Sequence, residues 1–144
     1  MDRIQGLFGG LRISASGSAA QRVRINTIAE NIAHAEVTHM PDGSGPYRRK
    51  EAVFSPIVTH GDDGRPTTDG VRVSKIAQDT TTPFEVVHDP SHPDADAEGN
   101  VLFPNVNTTK EMAEMIVAMR AYEANLNAQE TFVRMAERAL RLAQ

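Results

Sequence analysis

Apolar residues recur with helical spacing at both ends of the chain and lose that spacing in between. Toward the carboxy terminus Met112, Met115, Met119, Tyr122, Leu126, Val133 and Leu140 fall on alternating steps of three and four, with Gln129 and Ala136 completing the frame. This spacing predicts a long helix over 108–144 with one apolar seam. Thr108 followed by Glu111 fits a capping box, in which each side chain satisfies the other's free backbone N–H, and Pro104 suits an extended entry. On the polar side Glu130 precedes Arg134 and Glu137 precedes Arg141 at i,i+4, which supports the helix without specifying it.

At the amino end Ile4, Leu7, Leu11, Ile25, Ile28, Ile32 and Ala35 occupy the same kind of frame, weakened in its middle by Ser14, Ser18 and Gln21. Gly6, Gly9, Gly10 and Gly17 each cost a helix about 1 kcal/mol relative to alanine. The first turns are therefore expected to fray in the monomer, with the helix firmest from Ala19 to Ala35 and barred from continuing by Pro41. Between the ends, extended stretches are predicted at Tyr47 to Phe54, Val71 to Ile76, Phe84 to Val87 and Asn100 to Phe103. Turn clusters such as Pro41-Asp42-Gly43 and Asp62-Asp63-Gly64 separate them. The expected fold class is α+β: long terminal helices at 1–38 and 108–144 form a coiled-coil-like core, and a small loop-rich β element at 39–107 is inserted between them.

Ile13, Val23, Val117, Met135 and Leu142 lie off the two seams, so pairing the helices would leave apolar surface uncovered. Periodicity leaves two ways to cover it: packing on other subunits, or folding the middle segment over it in an ordinary monomer.

Composition narrows the chemistry. The net charge of -4 is mild and its signs are interspersed, so no basic face is present to follow a phosphate backbone and no nucleic-acid partner is expected. With no cysteine, disulfides and thiolate chemistry are ruled out. Glycines and Asp2 interrupt the first residues, so neither a cleaved secretory signal nor a membrane anchor is expected. His88-Asp89-Pro90-Ser91-His92-Pro93-Asp94-Ala95-Asp96-Ala97-Glu98 gathers potential metal ligands. Yet Asn105 stands where a calcium loop needs its closing glutamate, and Pro90 and Pro93 prevent a helix that would stack His88 on His92. A polar surface loop is the expectation, with no metal. No glycine-framed serine elbow or phosphate-cradling loop accompanies the serines and histidines, so neither an enzyme nor a cofactor is expected. Arg48-Arg49-Lys50, with no stacking aromatic nearby beyond Tyr47, is a weak signal for phosphate contact, and a solvated strand or an inter-subunit ion pair is the expectation.

Three sets of residues carry a resemblance. Ser18-Ala19-Ala20-Gln21-Arg22-Val23-Arg24-Ile25-Asn26-Thr27-Ile28-Ala29-Glu30-Asn31-Ile32-Ala33 resembles the amino-terminal motif of the flagellar rod and hook proteins. Glu111-Met112, Met115-Ile116 and Arg120-Ala121-Tyr122-Glu123-Ala124-Asn125 resemble the motif at their other end. Pro46-Tyr47-Arg48-Arg49-Lys50, Asp89 to Asp96 and Pro104-Asn105-Val106-Asn107 resemble the middle of a proximal rod member of that family. His34, Ser91 and Asn100 depart from the family pattern.

The resemblance implies a structural subunit of the basal-body rod, the torque-transmitting shaft that crosses the periplasm, exported by the flagellar secretion apparatus. The implied partners are other rod proteins, copies of the chain, basal-body ring or junction proteins and the export apparatus, without membrane insertion. Its assembly seam would be Ile25, Ile28, Ile32, Met112, Met115, Met119, Tyr122, Leu126, Val133 and Leu140. The rival from another class is a coiled-coil adaptor that binds a partner helix along the same carboxy-terminal seam.

Overall fold

The computed structural model describes the backbone of residues 2–60 and 66–142, and the side chains of 8–60 and 66–141. The expectations for Ile4, Leu7 and Leu142 as packing residues, and for the Asp62-Asp63-Gly64 turn, lie outside what is described. Helix α1 spans Asp2–Ala33 and helix α2 spans Thr108–Leu142. Between them come strands β1 (Lys50–His60), β2 (Pro66–Gln78), β3 (Glu85–His88) and β4 (Asn100–Phe103). The architecture is α+β, with two small antiparallel sheets, β1-β2 and β3-β4.

The two helices pack antiparallel within one chain: Gly10 meets Phe132, Gly17 meets Asn125, and Asn31 meets Glu111. Two of the glycines that weaken α1 as an isolated helix, Gly10 and Gly17, make this approach possible. A Cβ at Gly10 would run into the Phe132 ring, and one at Gly17 would stand 2.9 Å from the Asn125 amide. The buried side of α1 only partly follows the predicted frame, since Ala20, Thr27 and Asn31, which lie off it, are buried as well. Ser14, Ser18 and Ile28 are buried, and Gln129 reaches across to donate to Ser18 Oγ at 2.7 Å and to Ser14 O at 3.3 Å.

Helix α1 stops at Ala33, two residues short of the predicted firm end, and residues 34–36 form a turn. Val37 O then accepts the Tyr47 N–H at 3.1 Å, closing the intervening loop, and the His34 ring stacks on Tyr47 with centroids 4.7 Å apart.

β1 and β2 run well past the predicted extended stretches, because β-branched residues continue the pairing outward to Thr59 against Thr67, whose hydroxyls lie 3.0 Å apart. Pro56 is accommodated beside a register shift between Pro56 and Val58, where a ladder donor is not needed. The hairpin docks on α1 through Ser16, whose Oγ accepts the Val71 N–H at 3.1 Å, and through Arg12, which donates to Asp69 at 2.7 Å. Phe84 lies just before β3 rather than within it, under the Arg48 guanidinium at 4.1 Å.

Candidate assembly site

The amino-terminal cap of α2 differs from the predicted box. Asn107, one residue earlier, caps the helix by accepting the Lys110 N–H at 2.9 Å. Glu111 is thereby free to turn inward, where it is 1 % exposed. Its Oε2 accepts from Asn31 Nδ2 at 2.9 Å and its Oε1 from Arg49 Nε at 2.7 Å.

Asn31 uses all of its capacity. It donates to Glu111 and to Lys50 O (2.8 Å), and it accepts from Tyr47 Oη (3.0 Å) and from Lys50 N (2.9 Å). Asn105 adds a second set of bonds, accepting the Arg49 N–H at 2.9 Å and donating to Asp79 O and Thr82 O, each at 3.1 Å. Arg49 also approaches Glu114, which faces Arg24 as well, both at 3.5 Å. Lys50 pairs with Glu30. One buried polar junction thus ties α1, the entry to β1, the 79–82 turn and the start of α2.

The junction perturbs its own groups. Burial pushes the Tyr47 hydroxyl up to about 12, and the nearby Glu30 and Glu111 carboxylates add to that rise. For Arg49, burial alone favours loss of the proton, but the Glu111 hydrogen bond and charge outweigh it, and the guanidinium is held more firmly protonated than usual. At the rim, the hydroxyls and backbone N–H groups of Thr82 and Thr81 hold the Asp79 carboxyl well below the usual carboxylate range.

The predicted seam divides. Ile28 is 3 % exposed in the monomer core, while Ile25, Ile32, Met115 and Tyr122 are half-buried. Met112 (54 %), Met119 (47 %), Leu126, Val133 and Leu140 (68 %) are exposed. The face that α2 presents to α1 is a neighbouring frame, with Glu111, Ala118, Asn125 and Phe132 in place of those five residues and 115, 122, 129 and 136 shared by both. The exposed five recur every seven residues and so mark one side of α2 as an apolar stripe, broadened near its start by Ile116. Phe132, Asn125, Glu111 and Asn31 are the functional positions that periodicity missed. The available signal was the second three-four frame on α2, which its polar members disguise.

In the 88–99 loop Asp89 and Asp96 bond to groups of the loop and its edge, and Asp94 bonds to Thr38. Asp89 accepts the Ser91 N–H and hydroxyl at 3.0 and 2.6 Å, and Asp96 accepts the Glu98 and Asn100 N–H groups at 2.9 and 2.8 Å. Asp94 takes the Thr38 hydroxyl at 2.6 Å, and His92 Nδ1 accepts the Asp94 N–H at 3.1 Å. Among the described residues no three His, Asp or Glu side chains are grouped to hold a metal, and no helix is long and apolar enough to cross a membrane.

The motifs that carry the family resemblance supply this junction: Asn31 from the first, Tyr47, Arg49 and Asn105 from the middle, Glu111 from the last. Comparison with known proteins agrees. Residues 97–142 match the family described as flagellar basal body rod FlgEFG protein C-terminal. The flagellar basal-body rod protein FlgC of Borreliella burgdorferi is 42% identical over 83% of this chain and 86% of its own length. That of Bacillus subtilis is 38% identical over 95% and 98%, and that of Salmonella typhimurium 37% over 92% and 94%. The chain therefore belongs to the FlgC family of flagellar basal-body rod proteins.

Proposed function

We propose that this chain, a structural subunit of the flagellar basal-body rod, assembles through its terminal helices in a coiled-coil-like core. The exposed stripe of α2 forms the contact with neighbouring subunits, and residues 39–107 face outward. One observation carries the reading: five large apolar residues at heptad spacing stand in solvent on a helix whose other face is already packed. In this reading the units are 1–38, 39–107 and 108–144. Its partners are other rod proteins and copies of the chain, together with basal-body ring or junction proteins and the export apparatus. Methionines in the stripe suit neighbours of different sequence, because an unbranched thioether adapts to varied surfaces. The coiled-coil adaptor reading would use the same stripe but is not favoured, since the relatives are named as rod proteins.

The test is Met119→Asp. Because Met119 is exposed, the purified variant is expected to keep its circular dichroism, while cells carrying it lose rod incorporation and swimming. Normal incorporation and motility would overturn the assembly reading.

A further inference from the structure

Helix α2 carries two overlapping frames, and apolar burial alone would choose the other one. Turned by roughly half of the ~100° that separates successive residues, α2 would place Met112, Met119, Leu126 and Val133 against α1, and move Glu111 and Asn125 toward solvent. The observed rotation leaves the greasier frame outside, so something other than hydrophobic burial must hold it.

The junction at the start of α2 has the required geometry. Glu111 is bonded on one side to α1 through Asn31 and on the other to the β1 entry through Arg49, whose side chain is 13% exposed. Rotating α2 would withdraw both oxygens together from a buried guanidinium and an amide, which is strongly unfavourable for a buried charge. Replacing both charges by apolar residues removes that cost.

We propose that Glu111, held by Arg49 and Asn31, is the residue that sets the rotation of α2 and keeps the apolar stripe outside until a neighbouring subunit covers it. The inference rests on the stripe being the assembly surface. The junction determines which frame is presented there, and so acts as a specificity device at the expense of monomer stability. The competing cause is the small-residue groove of α1 at Gly10, Ser14 and Gly17, which admits Asn125 and Phe132 closely.

The chain contains no cysteine, so Met119→Cys provides a unique reporter of the stripe. With the native junction, dilute monomer should react rapidly with a maleimide. In the Arg49→Met/Glu111→Leu background, with helix content retained, labelling should slow about tenfold as the stripe turns inward. If that double variant does not fold, Glu111→Gln, which keeps the shape and the Asn31 contact, should slow labelling about threefold. An unchanged rate in whichever folded variant is measured overturns the proposal and assigns the rotation to the groove. The reading beneath it fails separately. If Met119→Asp still enters the rod while labelling of the junction variant slows, the stripe is not the assembly surface, yet Glu111 sets the rotation.

Discussion

At the start of α2 a glutamate is 1 % exposed and shares its two oxygens between an asparagine and an arginine, whereas about two turns further on a methionine stands 47 % exposed with nothing over it. The usual placement of charge outside and hydrocarbon inside is inverted along one helix. The buried end can sustain its charge because each Glu111 oxygen accepts a hydrogen bond and all four bonds of Asn31 are made. The exposed length has no such compensation within the monomer. The contrast separates two regions: the junction is complete in one chain, and the stripe is left uncovered by it.

The sharpest way to break the comparison is at the junction. Glu111→Ala takes the buried carboxylate from both Arg49 and Asn31, leaves Arg49 only its longer contacts to Glu114 at 3.5 Å and Glu51 at 3.8 Å, and should destabilise the monomer by about 3–5 kcal/mol, read by urea unfolding. A loss below about 1 kcal/mol would mean that Glu114, Glu51 or water suffices to pair the guanidinium. Next comes Ile28→Ala, which removes a core side chain and should cost about 2–4 kcal/mol in the same measurement. Ile28 belongs to the predicted seam but is packed inside the monomer, so any motility defect should follow the loss of stability rather than precede it.

A pH titration gives a smaller effect with a fixed sign. The folded Tyr47 hydroxyl is raised from 10.0 to about 12, so the neutral form is favoured by folding. Its contribution is fully present below pH 10.0 and is lost as pH rises through about 12. In a Tyr122→Phe variant, which leaves Tyr47 as the only tyrosine, absorbance at alkaline pH should show late ionisation coupled to unfolding. Ionisation near 10.0 without unfolding would show the junction to be open to water. The smallest effect on the monomer is expected from Met119→Asp, whose stability should stay within about 0.5 kcal/mol of the parent, since a surface change touches none of the packed groups. That variant sharpens the contrast best, combining an intact fold with lost assembly.

The helices were legible from spacing alone, but on α1 the heptad frame accounts for the burial of Ser14, Ser18 and Ile28 and not for that of Ala20, Thr27 and Asn31. On α2 the same reasoning selects Met112, Met119, Leu126, Val133 and Leu140, while Glu111, Ala118, Asn125 and Phe132 face α1. Periodicity finds an amphipathic face by its apolar content, and here the intramolecular contact is polar and small. Thr108 with Glu111 has the capping-box spacing, yet the cap is Asn107, which has Lys110 rather than an acid three residues on, because Glu111 is drawn inward by Asn31 and Arg49.

By itself the sequence determined the two terminal helices, the extended middle and the family to which the chain belongs, since each is written in local spacing or in contiguous motifs. Only the tertiary structure decided that the helices pair within one chain, that scattered motif residues meet in one buried junction, and which of two frames on α2 remains outside. Those outcomes depend on contacts between residues as far apart as Asn31 and Glu111, whose mutual satisfaction outweighs the local preference for burying hydrocarbon.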